Sequence, residues 1–122
     1  MGTVVVTGAR GFIGRHVARA AATVGWRVIG IGHGAWAPRA AAAWGVDHWF
    51  EHEVTRDALA AYAGEPDLVV HCAGSGSSAR ATEHPAAAFA QTVGATLEVA
   101  EFVRTRAPRA ALVYPSSGAV YG

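Results

Sequence analysis

The chain has 122 residues, of which 52% are hydrophobic and 16% are charged, so it has room for one domain around one apolar core. Its formal net charge is +1 and its basic residues are scattered, which argues against a nucleic-acid-binding surface and against a basic membrane anchor. Cys72 is the only cysteine and no apolar run reaches the roughly 20 residues of a membrane helix, so we expect a soluble cytoplasmic protein without disulfides.

The first predicted elements are a strand, a helix and a second strand. Residues 3–7 (TVVVT) form a short β-branched run that ends at a glycine, which is typical of a buried strand. Residues 12–24 have helical spacing, and Gly25 stands where a helix is expected to stop. The apolar residues expected on one face of this helix are Ile13, Val17, Ala20, Ala21 and Val24. Residues 27–31 (RVIGI) predict the second strand.

The middle of the chain predicts a short helix, a third strand and another helix. Residues 38–44 are alanine-rich and favour a turn or two of helix, and residues 46–50 predict a short strand. Thr55 is a suitable N-cap for a helix over residues 56–63, which Gly64 ends.

The last part of the chain repeats this alternation. Residues 68–72 (LVVHC) predict a fourth buried strand, and residues 73–79 a loop of small residues. The longest helical pattern covers residues 85–105, before Pro108, and residues 110–114 predict a fifth strand. The apolar and small residues at helical intervals in that long helix are Phe89, Val93, Thr96, Leu97, Ala100 and Val103. Strands alternating with helices are typical of an α/β fold with a parallel sheet.

A glycine-rich segment, residues 7–14 (TGARGFIG), lies between the first strand and the first helix. Glycines at such positions let the chain turn tightly, let the backbone approach a pyrophosphate, and let the helix pack against the strand. The helix N-terminus then offers free N–H groups and a positive dipole end to phosphates. The pattern therefore predicts a dinucleotide site, although a tight turn without a ligand is the alternative interpretation.

The glycine spacing TGxxGxxG resembles that of the extended short-chain dehydrogenase/reductase family. Residues 69–74 (VVHCAG) are similar to its hxHxAG segment, residues 84–97 to its P…NVxGTxxLL helix, and residues 116–122 (SSGAVYG) to its SSxxVYG motif. The chain is most similar to the NAD-dependent epimerases and dehydratases of nucleotide sugars. The resemblance implies a Rossmann-type doubly wound sheet of about five parallel strands in the order 3-2-1-4-5. Residues 1–122 would then be an incomplete NAD(P)-binding domain without the C-terminal substrate lobe.

The resemblance also implies a set of cofactor-binding residues at the ends of the strands. They are Gly8, Ala9, Arg10, Gly11, Phe12, Ile13, Gly14, Gly32, His33, Glu53, Val54, Cys72, Ala73 and Gly74. Glu53 matches the aspartate that borders the adenine in the family.

The residue that follows the second strand bears on the choice between NAD and NADP. NAD-binding members carry an acidic residue there, which binds the ribose 2′-hydroxyl. Gly32 and His33 occupy this place, and no carboxylate occurs between Gly25 and Val46. Arg10, His33 and Arg39 can supply positive charge, although the two arginines can equally be solvated surface residues. We expect NADP or NAD as the cofactor, with a slight preference for NADP.

The catalytic residues of the resembled family are only partly present. Its members use a Tyr-x-x-x-Lys pair and a serine or threonine, and Ser117 matches that serine; the alternative is that Ser116 and Ser117 only satisfy backbone groups. All ten Lys+Arg residues are arginines, so the pair is absent, and arginine does not exchange protons in proteins. The chain alone is therefore not expected to run the family's reaction.

Three other features, two single residues and one histidine pair, could be read as catalytic or metal-binding, but we favour a structural role for each. His71 lies at the end of a buried strand, where we expect it to bond to backbone groups. Cys72 is expected to be a small buried apolar residue rather than a nucleophile. His48 and His52 have acidic neighbours, but their strand-and-loop context predicts no metal site.

The resemblance implies that the missing half of the protein lies beyond residue 122, and that a nucleotide sugar binds only when that half is present. The fifth strand would be an open apolar edge, and the helix over residues 85–105 would lack the companion that it meets at a dimer interface in relatives. We therefore expect a homo-oligomer or pairing with a partner chain. The alternative function is that of a non-catalytic dinucleotide-binding or scaffold protein.

Overall fold

A five-stranded parallel sheet is the centre of the fold in the computed structural model, which describes residues 2–74, 78–117 and 121. The strand order is β3-β2-β1-β4-β5, as predicted from the resemblance. The strands are β1 (Thr3–Thr7), β2 (Arg27–Gly32), β3 (His48–Glu51), β4 (Leu68–His71) and β5 (Ala111–Val113). All four neighbouring pairs are parallel, so every strand ends at the same edge of the sheet.

Helices cover both faces of this sheet. They are α1 (Phe12–Thr23), α2 (Pro38–Ala43), α3 (Arg56–Ala63), α4 (Ser78–Glu83), α5 (Pro85–Phe89) and α6 (Ala95–Arg106), with a π-helical segment (Ala90–Gly94) between the last two. On one face Val5, Val69 and Leu59 pack with Val99 and Phe102 of α6. On the other face, the core consists of Val4, Val6, Ala9, Ala18, Val28, Ala41, Val46 and Val70. The doubly wound α/β fold is therefore confirmed.

Element boundaries differ from the prediction mainly where a helix ends beside a strand. The third strand begins at His48 rather than at residue 46, because the Val46 amide donates a hydrogen bond to the Ala41 carbonyl at 3.0 Å and so closes α2. The Asp47 amide then donates to the Val28 carbonyl of β2, at 2.9 Å. Helix α3 has the predicted bounds, and the Thr55 hydroxyl accepts the Ala58 amide at 3.1 Å as its N-cap.

The apolar face of α1 was predicted only in part: Val17 and Ala21 pack against the core, whereas Ile13, Ala20 and Val24 are exposed. Gly14 and Ala18 are its buried residues, whereas Ile13 and Val24 are 55% and 57% exposed. Residues without a large side chain allow α1 to lie close to the sheet, and an alanine-rich helix offers several faces of nearly equal hydrophobicity, so spacing alone does not choose between them. The exposed Ile13 is thereby placed at the edge of the sheet where the strands end.

The segment after β4 also differs from the prediction. Ser78 and Ala79 belong to α4 rather than to the predicted loop over residues 73–79, of which residues 75–77 lie outside the described residues. The predicted helix over residues 85–105 contains the π-helical segment, and its buried residues are Val99 and Phe102. Phe89, Val93 and Leu97 of the predicted apolar face are 63%, 41% and 62% exposed.

None of the helices in the described part of the chain combines the length and the apolarity that a bilayer crossing requires.

Candidate functional site

The loop between β1 and α1 folds against the end of β4. Gly8 has a φ of +67°, and a Cβ on it would lie 2.8 Å from both the amide nitrogen and the Cα of Ala73. Its amide donates a hydrogen bond to the Ile31 carbonyl of β2 at 2.8 Å. Position 8 therefore requires glycine on two grounds, because the positive φ disfavours a side chain and the neighbouring backbone leaves no space for one.

The start of α1 packs directly on this loop. A Cβ on Gly14 would overlap the Gly8 carbonyl oxygen and lie 2.7 Å from the Gly8 carbonyl carbon. Gly11 is the N-cap residue, its amide donates to the Gly8 carbonyl at 3.0 Å, and the first turn of the helix holds no acidic side chain. The first N–H groups of a helix lack partners within the helix. The positive end of the α1 dipole therefore lies at the edge of the sheet where the strands end, where it favours an anion.

Arg15 fixes the conformation of the loop, which the sequence did not reveal. Its guanidinium donates two hydrogen bonds to the Arg10 carbonyl, with Nε and Nη2 at 3.2 and 2.6 Å from the oxygen. The Arg10 guanidinium extends to the loop after β2, where its Nη1 lies 2.7 Å from the position that a Cβ on Gly34 would take. Arg39, the other arginine considered for the 2′-phosphate, lies exposed in α2, and neither it nor Arg10 is among the residues that line the two cavities described below.

A chain of buried and partly buried hydrogen bonds connects the ends of β1 and β4 to α6. The Thr7 hydroxyl oxygen accepts the amides of Cys72 and Ala73 at 3.0 and 3.2 Å, so its own proton is directed to His71 Nδ1 at 2.6 Å. His71 Nε2 consequently carries the ring proton and donates to the Thr96 hydroxyl at 3.1 Å. The Thr96 hydroxyl donates in turn to the Thr92 carbonyl at 2.6 Å. We call these residues the Thr7–His71–Thr96 relay.

The expectation that His71 bonds to backbone groups is wrong. Both of its ring nitrogens bond to threonine hydroxyls, and the Tyr114 ring stacks on the imidazole with 5.5 Å between centroids. His71 is 1% exposed, and burial lowers the pKa of its imidazole because a charged ring loses its hydration there. The hydrogen-bond directions and the burial both favour the neutral ring.

A first cavity of about 320 Å³ lies between the ends of β2 and β3 and the π-helical segment. Five of the predicted cofactor residues line it, namely His33, Glu53, Val54, Ala73 and Gly74. Sequence reasoning missed the other lining residues, which are Thr55, Ala90, Gln91, Gly94, Ala95 and Glu98. Glu98 reaches across from α6 and accepts the Arg56 amide at the start of α3 at 2.9 Å. Only the fold brings these segments together, since they lie far apart in the sequence.

A second cavity of about 300 Å³ lies beyond the ends of β4 and β5. The predicted residues Ile13, Cys72, Ala73, Gly74 and Ser117 line it, together with the unpredicted Thr92, Tyr114, Pro115 and Ser116 and the relay residue His71. Burial raises the pKa of the Cys72 thiol, which keeps it in the unreactive protonated form. Four further residues of the SSxxVYG segment, at positions 118–120 and 122, lie outside the described residues.

The two cavities form adjacent parts of one edge of the sheet, because Ala73 and Gly74 line both. Gly8 packs on Ala73, so the glycine loop stands beside the place where the cavities meet. His48 lies at the start of β3 and His52 directly after its end, in an aromatic group with Phe50 and Tyr62. Within residues 2–74, 78–117 and 121, three or more potential metal ligands do not come together anywhere.

Comparison with known families gives one match over nearly the whole chain. The family model described as "NAD dependent epimerase/dehydratase family" matches residues 4–122. A search of curated proteins returned no match to the sequence.

Similar solved structures include several UDP-glucose 4-epimerases. That of Brucella ovis, in complex with NAD, is 27% identical with a TM-score of 0.80, and the match covers 100% of this chain and 38% of that one. The enzyme of Bifidobacterium longum, in complex with NAD+ and UDP, is 25% identical with a TM-score of 0.81 over 98% of this chain and 38% of that one. The enzyme of Stenotrophomonas maltophila is 22% identical with a TM-score of 0.83, over 100% of this chain and 39% of that one, and shows the shared fold. The chain thus spans about 39% of the length of these relatives.

Proposed function

Proceeding from the NAD-dependent epimerase/dehydratase family, to which this chain belongs, we propose that it binds a nicotinamide adenine dinucleotide along the edge where its strands end. The observation that carries the proposal is the pair of cavities that share Ala73 and Gly74 beside the glycine loop. A dinucleotide has two bulky ends joined by a pyrophosphate. This edge of the sheet offers two cavities, and α1 begins beside them, directly after the glycine loop that follows β1. All three of the epimerases compared above were solved with NAD.

Each part of such a cofactor has residues suited to it. The first cavity, with Glu53 and Val54, suits the adenosine, since a carboxylate can accept a hydrogen bond from the adenine amino group. The N-terminal amides of α1 at residues 12–14 suit the pyrophosphate. The second cavity, with Cys72 and Ser117, suits the nicotinamide end, whose ring exchanges a hydride with a substrate.

We further propose that the adenosine end admits the 2′-phosphate of NADP. Gly32 supplies no carboxylate to repel it, His33 is exposed, and the Arg10 guanidinium lies against the following loop at Gly34. An anion at this point would gain charge-assisted hydrogen bonds from Arg10. The NAD complexes of the relatives make NAD the alternative, so both cofactors belong in the experiment.

Calorimetric titration of the wild-type chain and of Arg10→Gln with each cofactor tests both proposals. We expect wild type to bind NADP more tightly than NAD, and Arg10→Gln to weaken NADP binding about tenfold while changing NAD binding by less than about twofold. Arg27→Gln is a matched control, because Arg27 is exposed at the opposite end of β2. Failure of folded wild-type protein to bind either cofactor would refute the dinucleotide site, whereas tighter binding of NAD would refute only the preference.

We also propose that the chain alone is not catalytic. The sequence contains Ser117 but no lysine, so no Tyr-x-x-x-Lys pair can exchange a proton with a sugar hydroxyl. A nucleotide sugar would then be a substrate only in the presence of further protein. Incubation with UDP-galactose and either cofactor should give no UDP-glucose above the uncatalysed background, measured by chromatography. Turnover would show that another residue performs the acid/base step.

An exposed apolar stripe supports the further proposal that the chain pairs with a second copy of itself. The stripe consists of Phe89, Val93 and Leu97, which are spaced four residues apart along one helical surface. The short edge strand β5 also exposes Leu112 and Val113. Apolar surface of this kind drives association, whether in an enzyme or in the alternative, a non-catalytic dinucleotide-binding or scaffold protein.

Sedimentation velocity of Leu97→Glu tests this stripe. We expect wild type to sediment as a dimer and Leu97→Glu to raise the dissociation constant by roughly a hundredfold, because an unpaired charge would be buried at the interface. Val24→Glu is the control, since Val24 is similarly exposed at the end of α1. A monomeric wild type, or a dimer that Leu97→Glu leaves intact, would contradict the proposal.

A further inference from the structure

Trp49 occupies the space beside two glycines of β2. Residue 49 pairs with Gly30 across the strands. A Cβ on Gly30 would lie 3.0 Å from Trp49 Cε3, and a Cβ on Gly32 would lie 3.1 Å from Trp49 Cη2. The indole therefore extends along β2 to the strand's last residue, and it can do so only because both positions lack side chains.

Position 32 is the place where a carboxylate would read the ribose 2′-hydroxyl. Besides the indole, a Cβ there would meet the Gly8 amide nitrogen and Cα, each at 3.4 Å. Contacts this close on two sides leave room for an acidic side chain only if the Trp49 ring moves. Since the ring also packs edge-on against Trp36, with 5.3 Å between centroids, such a movement would disturb a second indole. Trp49 and an acidic residue at position 32 thus compete for one space.

The same indole fixes the loop that follows β2. Its Nε1–H donates a hydrogen bond to the Gly34 carbonyl at 3.0 Å. Gly34 has a φ of +93°, and the Arg10 guanidinium packs against its Cα face, where a Cβ would lie 3.0 Å from Arg10 Cζ. The bond from Trp49 therefore sets the position of the backbone on which Arg10 rests.

We infer that Trp49 is the specificity-determining residue for the adenosine end of the cofactor. Its ring excludes an acidic side chain from the end of β2, and its N–H holds the loop so that Arg10 and His33 face a 2′-phosphate. Trp49 acts as a positioning residue and need not touch the cofactor. The inference rests on the proposed dinucleotide site and adds to it the residue that selects between its two possible ligands.

Titration of Trp49→Phe with NADP and NAD tests the inference. Phenylalanine keeps an aromatic ring over Gly30 but has no N–H for the Gly34 carbonyl. We expect NADP affinity to fall roughly fivefold and NAD affinity to change by less than about twofold, the effect of one lost hydrogen bond at the 2′ end. Trp26→Phe is the matched control, because Trp26 packs on the same core but precedes β2 at the other end of the strand.

The outcomes separate this inference from the function on which it rests. Equal loss of affinity for both cofactors, or no loss, would overturn the role of Trp49 while leaving the dinucleotide site in place. A wild type that binds NAD but prefers it to NADP would overturn the inference alone, and one that binds neither would overturn both. If Trp49→Phe does not fold, Gly34→Ala replaces it. A side chain at this positive φ displaces the loop and Arg10 without entering the core. Gly34→Ala should therefore lower the ratio of NADP affinity to NAD affinity by a similar factor.

Discussion

Gly14→Ala should lower the free energy of unfolding by about 3 kcal/mol and abolish dinucleotide binding. The added methyl group would overlap the Gly8 carbonyl oxygen and lie 2.8 Å from Ala9 Cα, so α1 would have to move away from the loop. Both obstacles are backbone atoms, which cannot turn aside as a flexible side chain can. Because α1 also carries the N-terminal amides of the proposed pyrophosphate site, its displacement would remove the ligands together with the stability.

Thermal unfolding followed by circular dichroism measures this effect. For a domain of this size we expect the midpoint to fall by roughly 10 °C. Gly94→Ala is the control for stability, because Gly94 has helical dihedral angles and a Cβ on it would meet no atom within 4 Å beyond its chain neighbours and its own helix backbone. There, alanine should be neutral or should stabilise by up to about 1 kcal/mol. A Gly14→Ala protein as stable as wild type would show that the glycine loop is not packed as described.

His71→Phe should lower the free energy of unfolding by about 2–3 kcal/mol at neutral pH. One buried and one partly buried hydrogen bond are lost, and the Thr7 proton is left without its acceptor. The relay joins β1, β4 and α6, so its loss should also loosen Thr92 and the π-helical segment that line the two cavities. Chemical denaturation at pH 7.5 measures the first effect. The second should appear as weaker binding of the preferred cofactor.

The pH dependence of stability should identify His71 separately. Burial lowers the pKa of His71 in the folded protein, so the unfolded chain takes up a proton that the folded protein resists. The contribution of His71 is therefore fully present above the ordinary histidine pKa of about 6.5 and is lost as the pH falls below it. In wild type the free energy of unfolding should decrease between pH 7.5 and 5.5, and His71→Phe should have a flatter profile.

Thr96→Val separates the imidazole from its hydrogen bonds. It removes the partner of Nε2 but keeps the buried ring, so we expect a loss of about 1 kcal/mol at neutral pH with the pH dependence retained. A His71→Phe profile as steep as that of wild type would assign the pH dependence to another group and would contradict the neutral relay.

The candidate site was predictable where its chemistry is local. The glycines at 8, 11 and 14 follow a strand pattern and precede a helix pattern, and the structure places them at that junction. The positive φ of Gly8 and the close approach of Gly14 explain why these residues must be glycine. Glu53 and Gly74 were found through the family resemblance, and the structure brings them to one cavity.

Other features of the candidate site could not be predicted from the sequence, because they depend on contacts between residues that are far apart along the chain. His71 was assigned backbone partners, yet its partners are hydroxyls 64 and 25 residues away. Glu98 and the π-helical segment belong to the cavity because α6 packs beside α3, which no spacing along the chain reports. A residue such as Trp49 appears in the sequence as an ordinary aromatic residue of a strand, and only the register places it over Gly30.

The sequence by itself determined the alternation of strands and helices, the parallel sheet and the glycine loop, because hydrophobic period, β-branching and glycine act within a few residues. The tertiary structure alone decided which face of α1 is buried, which hydroxyls bind His71, and which indole covers the end of β2. The physical reason is that several faces or partners are locally equivalent in free energy. The choice among them is made when distant segments exclude water from one another.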